Sequence, residues 1–399
     1  MKCYVLGIGM GNPKLLTIQA KEIIETSTCL IGAQRMLNCF PESKAIKVAA
    51  ATPEKMKQAL SCCRDTDTAT VLVSGDCGFY SAANGLSKLL SGEKIAYIPG
   101  ISSLQYFCAQ LNLSWDDVKV ISLHGRKENL INAVLKNTKT FVLTGGNNSA
   151  AAICKQMCTY GLGSCFVHVG ERLSYSDERI TSEHADALKN QSFDSLAVML
   201  IENPNANDFS VTHGLSDEQF LRGNAPMTKS EVRTVSISKL QLNQGQTVWD
   251  VGAGTGSVSI EIARMLPEGM VYAVEKETDA IMLLKQNQDH FKVQNLQLVE
   301  GTAPDALKDL PVPDSVFIGG SSGQIDPIID CVLQKNPCAR IVANAITLET
   351  VNAVISCFKR CQLQNQEVLQ LFVAKSKPVG KSHMMLGQNP VYILSAGGE

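Results

Sequence analysis

The sequence predicts an α/β protein with two domains in tandem, the second built on a seven-stranded, mostly parallel sheet. Three observations predict it. Short apolar runs alternate with helical patterns along the chain, as in parallel sheets covered by helices. A glycine-rich turn joins strand to helix twice, in "GIGMGNPKLLT" from Gly7 and in "VWDVGAGTGSVSIEIA" from Val248. Between them, residues 203–224 are rich in Asn, Asp, Gly and Pro and carry no sustained period. That stretch is long for an internal loop, so it is read as a tether. The expected division is 1–205, a linker at 206–224, and 225–399, which suits a chain of 399 residues.

The first domain opens with a strand that runs into Gly7, Gly9 and Gly11, followed by a helix that Thr17 caps. "TATVLVSGDCGFYSAANGLSKLL" is a second strand, loop and helix, and "KIAYIPGISSLQYFCAQLNL" a third. Further strands lie in "TFVLTGG", "SCFVHVGERLSY" and "SLAVMLIENP". The first loop lacks GK[ST], so it is not a phosphate-binding P-loop. No acidic residue ends the next strand, where Ile31 and Gly32 stand, so it is not a dinucleotide site either.

In the second domain, strands are expected at 247–251, 270–274, 296–300, 314–318 and 339–344. Helices are expected at 257–266, 278–290 and 324–335. Two more strands, 367–375 and 390–396, close the chain with no clear helix between them, which makes one strand antiparallel. Gly252, Gly254 and Gly256 are spaced GxGxG, and Ser257 stands where a dinucleotide fingerprint has its third glycine. Glycine lets a ligand approach the backbone closely. A ligand with an amino-acid carboxylate and no pyrophosphate suits this loop, and S-adenosylmethionine is one. Glu275, roughly 20 residues on, ends the next strand where a carboxylate meets ribose hydroxyls. "LQLVEG" then runs into "GTAPDAL", a third loop that could edge an adenine.

The net charge of −2 argues against a general nucleic-acid binder. No secretory signal pattern opens the chain and no apolar run is long enough to span a bilayer, so a cytoplasmic protein is expected. The fourteen cysteines sit in apolar periodic stretches without a CxxC pair. With six scattered histidines they make a poor metal-ligand pattern, and no metal site is expected.

At this point the motifs resemble a known family. "GIGMGNPKLLT", "VLVSGDCGFYS", "IPGISSLQYF", "VISLHGR" and "VGERLSYSDERI" resemble the tetrapyrrole (corrin-ring) methyltransferases. "PMTKSEVR", "VWDVGAGTGSVSIEIA", "VFIGGS", "VANAITLE" and "GKSHMMLGQNPVYIL" resemble the class I methyltransferases that act in the same cobalamin pathway. The resemblance covers nearly the whole chain. It implies a tetrapyrrole methylase fold of two α/β subdomains, then a class I Rossmann-like domain with a seven-stranded sheet. It implies methylation of a (cobalt-)precorrin at C5 by the first half, and at C15 with loss of the C12 acetate carboxyl by the second. S-adenosylmethionine would be the donor in each half, and each half would self-associate. No nucleic acid or membrane partner is implied.

By position, the implied donor contacts are Gly9, Asp76, Phe79, Tyr80, Ser102 and Ser103 in the first half. In the second they are Thr228, Gly252, Ala253, Gly254, Thr255, Gly256, Glu275 and Ala303. Asp76 reads equally well as a turn residue, Ser102 and Ser103 as helix caps, and His124 as a structural histidine. Met10 and Cys77 stand where the family has proline, and Thr302 where some relatives carry a charge. A substrate with many carboxylates needs cations. The candidates are Arg126 and Arg172 in the first half, and Lys229, Arg233, Lys377 and Lys381 in the second. Proton-handling candidates are Glu231, Asn344 and His383. A reduced tetrapyrrole is enamine-like at its meso carbons, so no strong base or catalytic triad is expected. The competing readings are a methyltransferase for RNA or protein with a non-catalytic first half, and an NAD-dependent oxidoreductase.

Overall fold

A computed structural model describes the chain except residues 1, 65–66, 93, 126–127, 207–212 and 399. The chain divides into two compact units, Met1–Asp208 and Phe209–Glu399.

The first unit holds two five-stranded sheets. One contains β1 (Lys2–Gly7), β2 (Cys29–Gly32), β3 (Ile46–Ala49), β4 (Thr68–Val73) and β5 (Ile95–Ile98), in the order β3-β2-β4-β1-β5. All its pairings are parallel. Gly7 lies opposite Val73, and Leu6 opposite Ile98, so the loops leaving β1, β4 and β5 emerge side by side. The other sheet contains β6 (Lys119–Ser122), β7 (Lys139–Leu143), β8 (Phe166–Glu171), β9 (Arg179–His184) and β10 (Ala197–Glu202), in the order β6-β7-β10-β8-β9. Only β6 and β7 run parallel. Met10, Leu104, Phe107, Phe141, Leu173 and Leu200 form one buried cluster that joins elements of both sheets. Met10 therefore packs where a loop proline was expected.

The second unit contains β11 (Thr247–Val251), β12 (Met270–Glu275), β13 (Leu296–Glu300), β14 (Ser315–Ile318), β15 (Arg340–Ala345), β16 (Glu367–Leu371), β17 (Ala374–Val379), β18 (Ser382–Gly387) and β19 (Val391–Ala396). Its seven-stranded sheet has the order β13-β12-β11-β14-β15-β19-β16, and β19 is antiparallel to both neighbours. Trp249, Val251, Val316 and Ile341 face one buried cluster, while Val248, Phe317 and Val342 face another. Both faces are covered, which is why these strands read as continuous apolar runs. The expected strand 367–375 ends at Leu371, and β17 and β18 pair only with each other in an exposed hairpin.

The expected linker is corrected in its second half. Phe220 is buried in the second unit's core beside Val232 and Leu284, and Asp217 is buried as well. Leu215, Phe220 and Leu221 keep no helical or strand period in this polar stretch, so the sequence concealed the packing. Among the described residues no helix is long and apolar enough to cross a membrane, and no cluster of acidic, thiol and imidazole groups could hold a metal ion.

Candidate functional site

In the first unit, three glycines bring three loops into backbone contact. A Cβ on Gly7 would lie 2.6 Å from Gly75 O, and one on Gly100 would lie 2.4 Å from Gly7 O. Gly9 and Gly75 exchange both backbone hydrogen bonds, at 3.1 and 2.7 Å, and Gly9 has the left-handed φ of 65° that glycine tolerates. Asp76 fastens this arrangement. Its Oδ1 accepts the Gly78 N–H at 2.8 Å and its Oδ2 the Gly100 N–H at 3.0 Å. Asp76 thus holds the loops after β4 and β5 together. Ser102 caps the helix Ser103–Gln110 in a capping box with Gln105, which orients that helix start toward the same loops. Phe79 stacks edge-on with Tyr80 and against Phe141. Cys77 is buried, its thiol directed at the carbonyls of Val5 and Ile98, and burial pushes it up to about 11, so it is not a reactive thiolate.

Two substrate candidates of this unit behave differently. Arg126 lies outside the described residues. Arg172 is half-exposed, and its Nε lies 2.6 Å from Asp177 Oδ2. His124 bonds the Thr144 carbonyl at 3.2 Å and packs against Gly145, as a structural histidine does.

In the second unit, the glycine loop lies where the strand order reverses between β11 and β14, the place where open α/β sheets bind ligands. Gly252, Gly254 and Gly256 have φ of 75°, 57° and 78°. A Cβ on Gly252 would lie 2.6 Å from Gly320 O, in the loop after β14. One on Gly254 would lie 2.7 Å from Pro226 O, so the "PMTK" segment carrying Thr228 covers the loop. The loop spends its own donors. Gly252 and Ala253 N–H reach Val274 O, Gly256 N–H reaches Ala253 O, and Gly254 N–H reaches Glu275 Oε2 at 2.8 Å. Glu275 Oε1 accepts from Lys276 and Glu277 N–H at 2.7 and 2.9 Å. With four of the loop's five amides spent, close approach here rests mainly on missing side chains. Ala303 is buried and follows Gly301, whose N–H bonds Glu275 O at 2.9 Å, so the third loop is tied to the same strand end.

Asp250, one residue short of the end of β11, was passed over as a site residue. Its Oδ2 accepts from the Ser259 hydroxyl, and its Oδ1 is buried without a partner. Burial, with Glu275 nearby, pushes its carboxyl up to about 7. Thr255 Oγ1 is likewise buried and unpartnered. The glycine cradle, the carboxylate at the end of β12 and these two orphaned polar atoms fit a polar ligand such as S-adenosylmethionine.

Arg233 is corrected as a substrate-binding candidate. It is fully buried, and its Nε lies 2.5 Å from Glu261 Oε1. Its other nitrogens donate to Thr228 O, Leu215 O and Asp217 Oδ1 at 2.6, 2.5 and 3.3 Å. Four of its five N–H donors are spent and the side chain is sealed from solvent, so it does not meet a substrate, but the bond to Thr228 O fixes the segment over the glycine loop. Lys229 is exposed, 4.0 Å from Asp217 Oδ2, and Lys377 and Lys381 lie on the exposed hairpin.

The proton-handling candidates make their bonds elsewhere. Burial pushes the Glu231 carboxyl up, but Lys375 Nζ at 2.8 Å holds it below its ordinary value overall. Asn344 Oδ1 accepts from Ser236 Oγ at 3.0 Å, and His383 lies exposed on β18 opposite Pro378. A cavity of about 310 Å³ lined by Gln241, Asn243, Asp314 and Arg340 sits at the amino ends of β11, β14 and β15, the wrong end of the sheet for the glycine loop.

Comparison with known proteins follows the same division. Residues 2–189 match the family described as Tetrapyrrole (Corrin/Porphyrin) Methylases, and residues 219–396 match the Precorrin methyltransferase domain. A Pyrobaculum calidifontis protein described as a probable cobalt-precorrin-6B C(15)-methyltransferase (decarboxylating) is 42% identical over 188 residues, 46% of this chain and 96% of that protein. A Sinorhizobium precorrin-6Y C(5,15)-methyltransferase (decarboxylating) is 26% identical over 384 residues, 94% of this chain and 91% of that protein. A solved structure of a precorrin-6y C5,15-methyltransferase from Geobacter metallireducens is 39% identical, covering 46% of this chain and 98% of its own, with a TM-score of 0.45.

Proposed function

The chain belongs to the precorrin methyltransferases, and from that premise we propose that it methylates a (cobalt-)precorrin at two positions. The first unit methylates C5. The second methylates C15 and removes the carboxyl of the C12 acetate arm. The observation that carries this reading is that each unit gathers its own closely packed glycine loops at the carboxyl ends of parallel strands. The Sinorhizobium relative, similar along nearly its whole length, supports one chain with both activities.

S-adenosylmethionine, when bound, supplies a methyl group already activated by a sulfonium leaving group. One molecule is assigned to each unit. In the second, Glu275 would accept from ribose hydroxyls with the lone pairs its three amide bonds leave, while Thr228 and the Gly252–Gly256 backbone enclose the donor. In the first, Gly9, the Asp76–Tyr80 loop and Ser102 with Ser103 would do the same. The chain's task is then to bring a nucleophilic ring carbon into line at roughly 3–3.5 Å and to exclude water. Lys229, Lys377, Lys381 and Arg172 are the accessible cations that would meet the substrate's carboxylates. Decarboxylation needs a carboxylate moved to a less polar setting, with the ring as electron sink. Self-association of each half belongs to the same reading.

Mass spectrometry of products from synthetic precorrin and cobalt-precorrin substrates with S-adenosylmethionine tests it, since methyls gained and CO₂ lost are counted together. Two methyls and one lost CO₂ are expected. A product with one methyl and no lost CO₂ would contradict the assignment of the second unit.

A further inference from the structure

The loop Arg172–Glu178, which follows β8, carries two non-glycine residues in the left-handed region, Arg172 at φ 47° and Ser174 at φ 69°. Such residues are costly, persist only where their surroundings over-determine them, and cluster at ligand sites. The surroundings here are specific. Glu178 Oε2 accepts the Ser174 N–H at 2.5 Å and the Tyr106 O–H at 2.9 Å. Arg172 pairs with Asp177, and its guanidinium lies 5.2 Å from the centre of the Tyr175 ring. Tyr175 Oη lies 2.5 Å from where a Cβ on Gly11 would stand, so the loop is pressed against the first glycine loop.

Tyr106 sits on the helix that Ser102 caps, and its own N–H bonds Ser102 O at 3.1 Å. A single hydroxyl–carboxylate bond therefore links the helix start at the crevice to a strained loop touching Gly11. Burial pushes the Tyr106 hydroxyl up to about 12, so it remains a donor at neutral pH. Ser174 Oγ is buried without a partner, an unspent polar group in this loop.

We propose that the Tyr106–Glu178 hydrogen bond is a latch that holds the Arg172–Glu178 loop as a wall of the first unit's crevice. Tyr106 and Glu178 are then positioning residues for the methyl donor in C5 methylation. The inference rests on the proposed role of the first unit.

The test uses the full chain with Tyr106→Phe, Glu178→Ala and Glu178→Gln, following C5 and C15 methylation separately by mass spectrometry. Tyr106→Phe and Glu178→Ala should raise the KM for S-adenosylmethionine in C5 methylation about tenfold, with kcat nearly unchanged. Glu178→Gln keeps an acceptor oxygen and should stay near the parent. C15 methylation, carried by the other unit, should be unaffected in all three. Amides 173–178 should exchange hydrogen about tenfold faster in Tyr106→Phe and Glu178→Ala without any ligand. A KM unchanged in both variants, or C5 and C15 rates falling together, overturns the latch. If the parent chain methylates only C15, the role proposed for the first unit fails. The latch is then decided by hydrogen exchange alone, and unchanged exchange in Tyr106→Phe overturns it.

Discussion

Glu275 Oε2 accepts the Gly254 N–H at 2.8 Å, so the carboxylate that ends β12 also holds the glycine loop that ends β11. Its other oxygen holds the backbone of Lys276 and Glu277. A residue read from the sequence as a ribose acceptor is thus first a clamp on three amides. Glu275→Ala should weaken S-adenosylhomocysteine binding in the second unit by about 1.5–3 kcal/mol, through loss of the ribose contact and loosening of the loop. Glu275→Gln should lose less, because the amide oxygen still accepts. Calorimetry that found equal loss at both sites of the chain would contradict the assignment.

Asp250 gives the second unit a pH dependence with a definite sign. Its ordinary value is 3.8, and burial, with Glu275 nearby, pushes it up to about 7 against the pull of the Ser259 bond. Between about pH 4 and 7 the folded protein keeps a proton here that the unfolded chain has released. This contribution is full below that window and declines as pH rises through it. Asp250→Asn mimics the protonated form and should remove the decline, a change of at most about 4 kcal/mol across the window. Denaturant unfolding at several pH values from 4 to 7 measures it, and an unaltered slope in the variant would rule Asp250 out.

The legibility of this fold followed burial. β11 and β12 lie within a residue of where their apolar runs placed them, because both faces of the sheet are covered there and no alternation blurs them. β3 and β9 lie at sheet edges, largely exposed, and offered no apolar run to read. Only the first two residues of the exposed hairpin β17–β18, Ala374 and Lys375, were merged into the preceding strand, because Phe372 reads as a continuation of its apolar run and is in fact exposed, and the rest of the hairpin was not read as strand. Glycine loops were legible because positive φ and close packing demand glycine. Arg233 was not, because a cation at a helix start reads as solvated. What buries it are Asp217 and Glu261, 16 and 28 residues away in sequence.

That buried cluster should dominate the stability of the second unit. Arg233→Ala would leave Glu261 buried beside only the Gly214 and Leu215 N–H groups. Breaking a buried pair from one side costs about 3–5 kcal/mol. Replacing both partners by apolar residues of similar volume, Arg233→Met with Glu261→Leu, should recover most of it. Thermal unfolding checks the pair, and a single variant as unstable as the double would show that the charges do not compensate one another. Donor binding should also fall in Arg233→Ala, because Thr228 loses the bond that fixes its carbonyl.

The same cluster decides where the chain can be divided. Composition places a tether over residues 206–224, but Gly214 and Leu215 donate to Glu261, Asp217 Oδ1 accepts the Ser230 N–H at 2.9 Å, and Asn287 bonds both the N–H and the carbonyl of Leu221. Phe220 fills the core and lies 4.8 Å from the Arg233 guanidinium. A piece begun at Gly214 keeps all of this. A piece begun at Ala225 loses a buried aromatic ring, worth about 3–5 kcal/mol, and strands Arg233 and Glu261 with half their partners. Residues 1–206 and 214–399, expressed apart, should each fold, the first methylating C5 and the second methylating C15 and decarboxylating. Residues 225–399 should fail to fold or to bind S-adenosylhomocysteine, which circular dichroism and calorimetry report directly. Binding by 225–399 equal to that of 214–399 would mean that the segment is a tether after all. Separation should still carry a kinetic penalty. A tether raises the effective concentration of one unit's product near the other, so the intact chain should outpace an equimolar mixture when substrate is scarce and match it when substrate is plentiful.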